Sequence, residues 1–264
     1  MKALVTLAVA AIVALGSASV LGATSSSGTP SSKATAAINT AVGCTFSATT
    51  TIGDTLPATC HDIFSGASVP VTPDNFAPIM KATIKVSNSQ SLFVSPSLVT
   101  GLYTQTKVKT TTGTTSTATA MGGVYLRAVV KNIDTGQVQV GYPVADCSTD
   151  ILGCSLVGGQ YGVTLDSRIQ TLTQSLSDCV VNVGTLTGTC TFDLTTDLIL
   201  KTTSAHTFNF IFPNVGVGTY KVEIQAAVNS NATVGGSGTA IGAAAYGLGS
   251  LTVESVRLVH DFSF

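Results

Sequence analysis

The sequence predicts an all-β protein, namely an antiparallel β-sandwich of the jelly-roll type with at most one or two short helices. Short segments in which apolar and polar residues alternate recur along the chain, and turns rich in glycine, proline and asparagine separate them. Threonine, serine, valine and glycine are abundant, whereas only two residues of the 264 are glutamate. This composition favours strands and turns over solvent-exposed helices.

The first 22 residues have the order of a secretory signal peptide. Lys2 precedes an apolar run from Ala3 to Leu15, and small residues follow as far as Ala23. This run is shorter than the roughly 20 apolar residues that a membrane-spanning helix needs. We therefore expect a secreted protein, extracellular or at the cell surface, with no membrane span after signal cleavage. An uncleaved N-terminal anchor is the alternative.

Two further regions follow the signal peptide. Residues 23–43 contain the Ser/Thr-rich stretch "TSSSGTPSSKATAA", which is typical of a flexible leader. The stretch "AINTAV" at the end of this region could instead be a strand donated to a neighbouring subunit. Residues 44–264 are long enough to form a single β-sandwich domain.

Alternating segments give the clearest strand predictions. In "MKATIKVS", apolar residues alternate with Lys81 and Lys85, a spacing of lysines that protects the edge of a sheet. In "GGVYLRAVVKNIDTGQVQVGYP", the tripeptide Asp134-Thr135-Gly136 supplies the turn of a hairpin. The predicted inward faces consist of Ala82, Ile84, Val86, Val124, Leu126, Ala128, Val130, Phe208, Phe210, Phe212, Tyr220, Val222, Ile224, Ala226 and Val228.

Two later segments carry more specific expectations. Residues 193–203, "DLTTDLILKTT", predict a short helix, because Asp or Thr can cap its start and Ile and Leu form a stripe. Residues 250–264 predict the last strand of the sandwich rather than a membrane-insertion signal. The apolar phase of this strand changes near Glu254, so we expect a β-bulge there. Phe262 and Phe264 then cover either the edge of this domain or a neighbour.

Six cysteines follow the signal peptide, and an even number in an exported chain favours disulfides. The absence of a C-x-x-C pair argues against zinc thiolates and thioredoxin-like chemistry. Six cysteines allow 15 pairings, and the sequence does not select among them. Proximity along the chain suggests the structural disulfides Cys44–Cys60, Cys147–Cys154 and Cys179–Cys190.

Charge and motif content exclude several classes of function. Charged residues make up 9% of the chain and the net charge is −1, so we expect no nucleic-acid partner. The histidines His61, His206 and His260 fit no metal-binding spacing, and we expect no metal or other cofactor. A Ser-His-Asp constellation could assemble from distant parts of the chain, but no G-x-S-x-G elbow is present.

The acidic residues offer two local pairs. Asp146 and Asp150 lie at the cysteine-bounded loop and could bind calcium. Asp193 and Asp197 are four residues apart at the predicted helix start, where aspartate caps a helix or complements its dipole. In addition, Asn231 begins an Asn-Ala-Thr acceptor for glycosylation.

Several stretches resemble a group of uncharacterised exported proteins, mainly prokaryotic, that share a β-rich body. These stretches are "ATIKVSNSQSLFVSPSLVTGLYTQTKVK", "RIQTLTQSL", "LILKTTSAHTFNFIFPNVGVGTYKVEIQAAV" and "GSLTVESVRLV". The resemblance implies a secreted β-sandwich and no particular activity. The segments around Cys147–Cys154 and Cys179–Cys190 lie outside it.

These features predict a structural or adhesive protein of the cell surface or extracellular matrix rather than an enzyme. Low charge, Thr/Ser-rich faces and long polar loops favour this role, with further copies as homo-oligomer or filament partners. An extracellular carbohydrate- or small-ligand-binding module, with a surface glycan as partner, is the alternative. The absence of tryptophan weakens that alternative, because sugar sites usually present aromatic platforms. A secreted hydrolase is the third possibility.

Overall fold

The structure is a computed structural model in which seven stretches of the chain are described. Phe262 and Phe264 lie outside the described residues, as does the predicted signal peptide. None of the helices in the described stretches is long and apolar enough to cross a membrane. The described residues are 33–64, 71–72, 75–147, 152–176, 179–183, 186–190 and 193–257.

These residues form fourteen strands, one helix of five residues and one 3-10 turn. The helix is α1 (Cys60–Phe64), and the 3-10 turn spans Val144–Asp146. The strands are β1 (Ala34–Asn39), β2 (Gly43–Thr50), β3 (Ala77–Val86), β4 (Gln90–Thr111), β5 (Thr115–Asn132), β6 (Val138–Val140), β7 (Cys154–Val157), β8 (Gln160–Ser175), β9 (Cys179–Val183), β10 (Leu186–Cys190), β11 (Asp193–Thr207), β12 (Phe210–Val215), β13 (Gly218–Gly235) and β14 (Gly238–Val256).

Two antiparallel sheets make up the sandwich, and a separate hairpin consists of β9 and β10. Across sheet A, β1 and β2 lie end to end beside β14, which is followed by β4 and then by β11 and β12 end to end. Across sheet B the order is β3, β13, β5, β8 and β7, and β6 extends the position of β8 along β5. The principal pairs are β2–β14, β3–β13, β4–β11 and β5–β8. Each pair encloses the next one along the chain, and successive pairs belong to alternate sheets. This nesting is that of a jelly roll, and the predicted fold class is confirmed.

The apolar core lies between the sheets, and it follows the predicted inward faces. Phe210 and Phe212 of β12 are fully buried, and Phe208 packs against the same cluster. Alternate residues of β13 from Tyr220 to Val228 are buried as well. The turn after Asn132 joins β5 to β6, as the Asp-Thr-Gly tripeptide predicts, and Gly136 adopts a positive φ of 74° there.

Away from this aromatic core the sandwich is thinner, and β5 of sheet B touches β14 of sheet A. A Cβ atom on Gly242 would lie 2.2 Å from the carbonyl oxygen of Met121, and one on Gly122 would lie 2.3 Å from that of Ala243. The two backbones therefore meet without side chains between them. The surrounding interior is filled by small side chains, namely Ala118, Ala120, Ala232, Ala240 and Ala244.

The helix predicted for residues 193–203 is wrong, because this segment lies within strand β11. β11 pairs antiparallel with β4 over its whole length, from Asp193 opposite Thr111 to Thr207 opposite Ser97. The β-branched Thr and Ile residues of the segment favour an extended backbone. The long edge of β4 gives every second residue of the segment backbone hydrogen-bond partners along its whole length.

The bulge expected near Glu254 is also wrong. Glu254, Ser255 and Val256 continue in register opposite Phe93, Leu92 and Ser91 of β4. The register shift lies earlier in β14, between Tyr246 and Gly249. There the carbonyl of Gly247 accepts a hydrogen bond from the Nδ2 of Asn39, at 2.7 Å. The glycines of this stretch accommodate the irregular backbone, and the following Leu251 and Val253 return to the core.

We predict that Gly242→Ala destabilises the fold by about 3 kcal/mol or more, because backbone atoms of Met121 occupy the place of the new methyl group. Gly235→Ala in β13 is the matched control, since no heavy atom lies within 4 Å of its added Cβ. Urea denaturation of both variants checks this expectation. Equal unfolding midpoints for the two variants would contradict the close contact between the sheets.

Candidate functional site

Strand β8 directs a polar stripe towards sheet A, next to the apolar core. Its alternate residues Asp166, Arg168 and Gln170 face β4 and β11. Gln170 is only 6% exposed, whereas its apolar neighbour Ile169 is 69% exposed. This part of the sandwich interior is therefore polar, and its side chains must find partners within the protein.

Gln170 finds these partners on two strands of the opposite sheet. Its Oε1 accepts a hydrogen bond from the Thr104 hydroxyl at 2.8 Å. Its Nε2 donates to the Thr106 hydroxyl at 2.6 Å and to the Leu198 carbonyl at 2.8 Å. Thr104 and Thr106 are fully buried, so this amide ties β8 to β4 and β11 through hydrogen bonds inside the sandwich.

A second cluster combines Thr100, Asp166, Ser204 and His206. The Thr100 hydroxyl donates to Asp166 Oδ2 at 2.6 Å, and the Ser204 hydroxyl lies 3.4 Å from the same oxygen. His206 Nε2 is 2.7 Å from Ser204 Oγ and 3.4 Å from Asp166 Oδ2. A serine, a histidine and an aspartate thus meet in one place, as a hydrolase would require.

The connectivity of this cluster differs from that of a catalytic triad. In a triad, one imidazole nitrogen faces the serine and the other is held by the carboxylate. Here the same nitrogen, Nε2, faces both Ser204 and Asp166, and Ser204 and Thr100 both reach the carboxylate directly. This arrangement cross-links β4, β8 and β11, but it does not orient the imidazole as a base for Ser204.

Arg168 continues the stripe beside Asp166. Its Nη2 donates to the Thr202 hydroxyl of β11. Three buried atoms of the described side chains have no hydrogen-bond partner, and two of them, the Nη1 of Arg168 and the Oε1 of Gln174, lie on β8. The stripe is therefore less fully satisfied at Arg168 and Gln174, on either side of Gln170, than at Gln170 itself.

A cleft of about 740 Å³ opens at the end of the sandwich where β4 turns into β5. Two lysines, Lys107 and Lys109, line it together with hydroxyl groups and backbone of the neighbouring loops. The remaining lining residues are Ile52, Thr111, Thr114, Thr115, Ser116, Thr195, Gly236 and Ser237. Most of these lining residues carry hydroxyl or ammonium groups, Ile52 is apolar, and none is aromatic.

Asp54 fixes one wall of this cleft. Its carboxylate accepts hydrogen bonds from the Thr239 hydroxyl at 2.7 Å and from Lys107 Nζ at 3.0 and 3.1 Å. These partners hold the pKa of the Asp54 carboxyl below its usual value, the Thr239 hydrogen bond first and the Lys107 hydrogen bond next. The loop that follows β2 is thereby fastened to both central strands of sheet A.

The described side chains form two disulfides, Cys44–Cys60 and Cys147–Cys154, which are pairings that proximity along the chain suggests. Cys44–Cys60 joins β2 to α1, and both sulfur-bearing residues are fully buried. In the hairpin of β9 and β10, Cys179 lies directly opposite Cys190. The side chains of that third pair lie outside the described residues.

The other sequence-predicted site residues are dispersed. Asn231 is exposed on β13, and Asp146 is exposed in the 3-10 turn, whereas Asp150 and His260 lie outside the described residues. No group of three or more His, Cys, Asp and Glu side chains among the described residues could hold a metal ion. Asp193 and Asp197 share a strand rather than a helix start. Asp193 lies 3.8 Å from Lys109, and Asp197 accepts hydrogen bonds from Gln105.

Sequence analysis missed the residues that link the sheets, above all Asp166, Gln170 and Thr100. Their signal is a polar residue at every second position of "DSRIQ", repeated opposite the alternating threonines of "TQTKVKT". Such alternation fixes a period of two but does not say which face is buried. Comparison of the chain with family models, curated proteins and solved structures gave no match.

We predict that Asp54→Asn lowers stability more at pH 7 than at pH 3. A carboxyl whose pKa is lowered by folding contributes stability above its unfolded-state pKa, and this contribution is lost as the pH falls through the folded-state pKa. Urea unfolding midpoints at both pH values, compared with wild type, measure the difference. The exposed turn residue Asp134, changed to Asn, controls for the loss of one negative charge. An equal effect of Asp54→Asn at both pH values would contradict the proposed role of its ionised form.

Proposed function

We propose that this protein is a secreted β-sandwich with a structural or adhesive role at the cell surface or in extracellular matrix, and that copies assemble by exchanging β1. The observation that carries the proposal is the position of β1, which the N-terminal segment adds to the open edge of sheet A. β1 pairs antiparallel with β14, from Ala34 opposite Glu254 to Asn39 opposite Gly249. Edge addition of this kind is a general way in which chains join sheets.

The attachment of β1 relies mainly on backbone hydrogen bonds and on the side chain of Asn39, with Ala37 packed against the apolar core. Alternate residues of the strand are exposed, and its largest apolar residue, Ile38, is 68% exposed. Asn39 is buried, and its Nδ2 donates to the carbonyls of Gly247 and Ala41 at 2.7 and 2.8 Å. Because the β14 edge of another copy offers the same partners, exchange between copies conserves these bonds.

Further features support an extracellular structural role. Two disulfides in the described residues are typical of proteins in oxidising compartments. Strand β4 alone has 22 residues, which corresponds to a length of about 70 Å. An elongated sandwich whose loops are held by disulfides is a suitable subunit for an extracellular assembly. We also propose that the protein is not an enzyme. In support, His206 presents the same nitrogen, Nε2, to Ser204 and to Asp166, which is not the arrangement of a catalytic triad.

An engineered disulfide tests the exchange. Ala36 of β1 lies directly opposite Thr252 of β14, and both side chains are exposed. We expect the variant Ala36→Cys/Thr252→Cys, oxidised at high concentration, to give a ladder of covalent oligomers on a non-reducing gel. The matched variant Ala36→Cys/Ser250→Cys, whose second position is opposite Ile38, should cross-link less.

Electron microscopy of the wild-type protein from the secreted fraction should show filaments or layers. Cross-links confined to single chains at every concentration, together with only free monomers by microscopy, would refute assembly through β1.

The alternative function, binding of a carbohydrate or another small polar ligand, is favoured by the cleft at the end of the sandwich. Its lysines and hydroxyl groups suit a ligand rich in hydroxyl or anionic groups. On a glycan array, we expect binding that Lys109→Ala reduces about tenfold, with exposed Lys131→Ala on β5 as control. An array without hits, or equal binding by both variants, would argue against this function.

A further inference from the structure

Strand β11 forms an open edge of sheet A along its full fifteen residues. β4 pairs with one side of β11 from Asp193 to Thr207, and no strand in the described residues pairs with the other side. Every second peptide group of such a strand points away from its neighbour. An edge of this length is a template for a further strand.

The edge strand β3 differs from β11, because its sequence protects the edge against pairing. β3 is the edge strand of sheet B, and it carries Pro78, Lys81 and Lys85. Proline and lysine on an edge strand discourage pairing with other chains. β11 contains neither proline nor glycine, and Lys201 is its only lysine. The sequence thus protects one edge and leaves the other suited to pairing.

β11 also exposes large apolar side chains at its centre. Leu198, Ile199 and Leu200 are 41%, 52% and 43% exposed. Consecutive residues of a strand point to opposite faces, so apolar surface is exposed on both faces of this edge. A partner strand at this edge would cover both faces at once.

The sequence of β11 identifies the partner. Residues 195–203 read "TTDLILKTT", which is the same in both directions except that Asp197 and Lys201 exchange places. In an antiparallel pair of two copies centred on Ile199, each residue of one copy faces its mirror position in the other. Thr195 then faces Thr203, Thr196 faces Thr202, Asp197 faces Lys201, and Leu198 faces Leu200.

We propose that two copies of this protein pair edge to edge through β11, about a twofold axis at Ile199, so that sheet A continues from one copy into the other. Such an interface is isologous, because the same surface of each copy takes part. It matches threonine with threonine, leucine with leucine and, twice, aspartate with lysine, and cross-strand pairs of these kinds stabilise antiparallel sheets. Any shift of register loses this match.

Contacts within the single chain are compatible with this pairing. Asp197 accepts hydrogen bonds from Gln105 Nε2 at 3.0 and 3.1 Å, and Lys201 Nζ donates to the Phe64 carbonyl at 2.8 Å. A carboxylate accepts further hydrogen bonds, and an ammonium group has three donors. The Leu198 carbonyl, which accepts from Gln170, retains a second lone pair.

The pairing deepens the proposed function, since it adds a second contact between copies to the exchange of β1. A twofold contact alone closes into a dimer, whereas the two contacts together extend into a chain of subunits. The two proposals can fail separately. The β11 pairing is tested by the dimer itself, and the exchange of β1 by the covalent ladder described above.

Charge exchange across the pair provides the central experiment. Asp197→Lys places two lysines opposite each other in the homodimer, and Lys201→Asp places two aspartates opposite each other. We expect each variant alone to dimerise at least about tenfold more weakly than wild type in sedimentation velocity. An equimolar mixture of the two variants should dimerise as wild type does, because both Asp–Lys matches are restored. Lys85→Asp on β3 should leave the dimer unchanged.

A cysteine scan fixes the register. Ile199→Cys lies on the twofold axis and should form an intermolecular disulfide on oxidation, whereas Thr203→Cys lies about 27 Å from its own counterpart and should not. Circular dichroism confirms that each variant is folded. A monomeric wild-type protein at high concentration, a mixture of charge variants that stays monomeric, or equal cross-linking of the two cysteine variants would overturn the proposal.

Discussion

The close approach of β5 and β14, at Gly122 against Ala243 and at Gly242 against Met121, sets the dimensions of the whole sandwich. Where these backbones touch, no side chain can stand between the sheets, and most of the buried side chains nearby are alanine and threonine. Towards Phe210 and Phe212 the sheets diverge enough to enclose aromatic rings. The sandwich is therefore divided along the strands into a thick apolar half and a thin half with little apolar surface to bury.

The polar stripe of β8 compensates for this shortage. In the thin half, Gln170 and the buried threonines of β4 replace apolar packing by hydrogen bonds between the sheets. Hydrogen bonds are directional, so they also fix how far one sheet can slide along the other. The cluster of Asp166, Ser204 and His206 joins the same three strands, β8, β4 and β11, which explains its branched connectivity better than a catalytic task does.

Much of the fold could be predicted from the sequence, because the apolar faces of β3, β5, β12 and β13 follow a clear period of two. Prediction failed where the period was ambiguous. The Leu and Ile residues of β11 fit a helix as well as a strand, and only the vacant edge of β4 decides between them. The alternation in β8 indicated a strand without showing that Gln170, and not Ile169, points inwards. Both failures concern long-range partners, which local patterns cannot contain.

In sheet A, the two ends of the described chain and the lysine-lined cleft lie at opposite ends of the molecule. The amide of Ser255 donates to the carbonyl of Lys33, so the chain enters and leaves the described fold at one point, beside Leu92 of β4. The lysine-lined cleft lies at the other extremity of β4, about 55 Å away if the strand is fully extended. If the protein is attached through the segment before Lys33 or the segment after Ser255, the attachment point lies at one end of the sandwich. The cleft then lies at the end farthest from the attachment point.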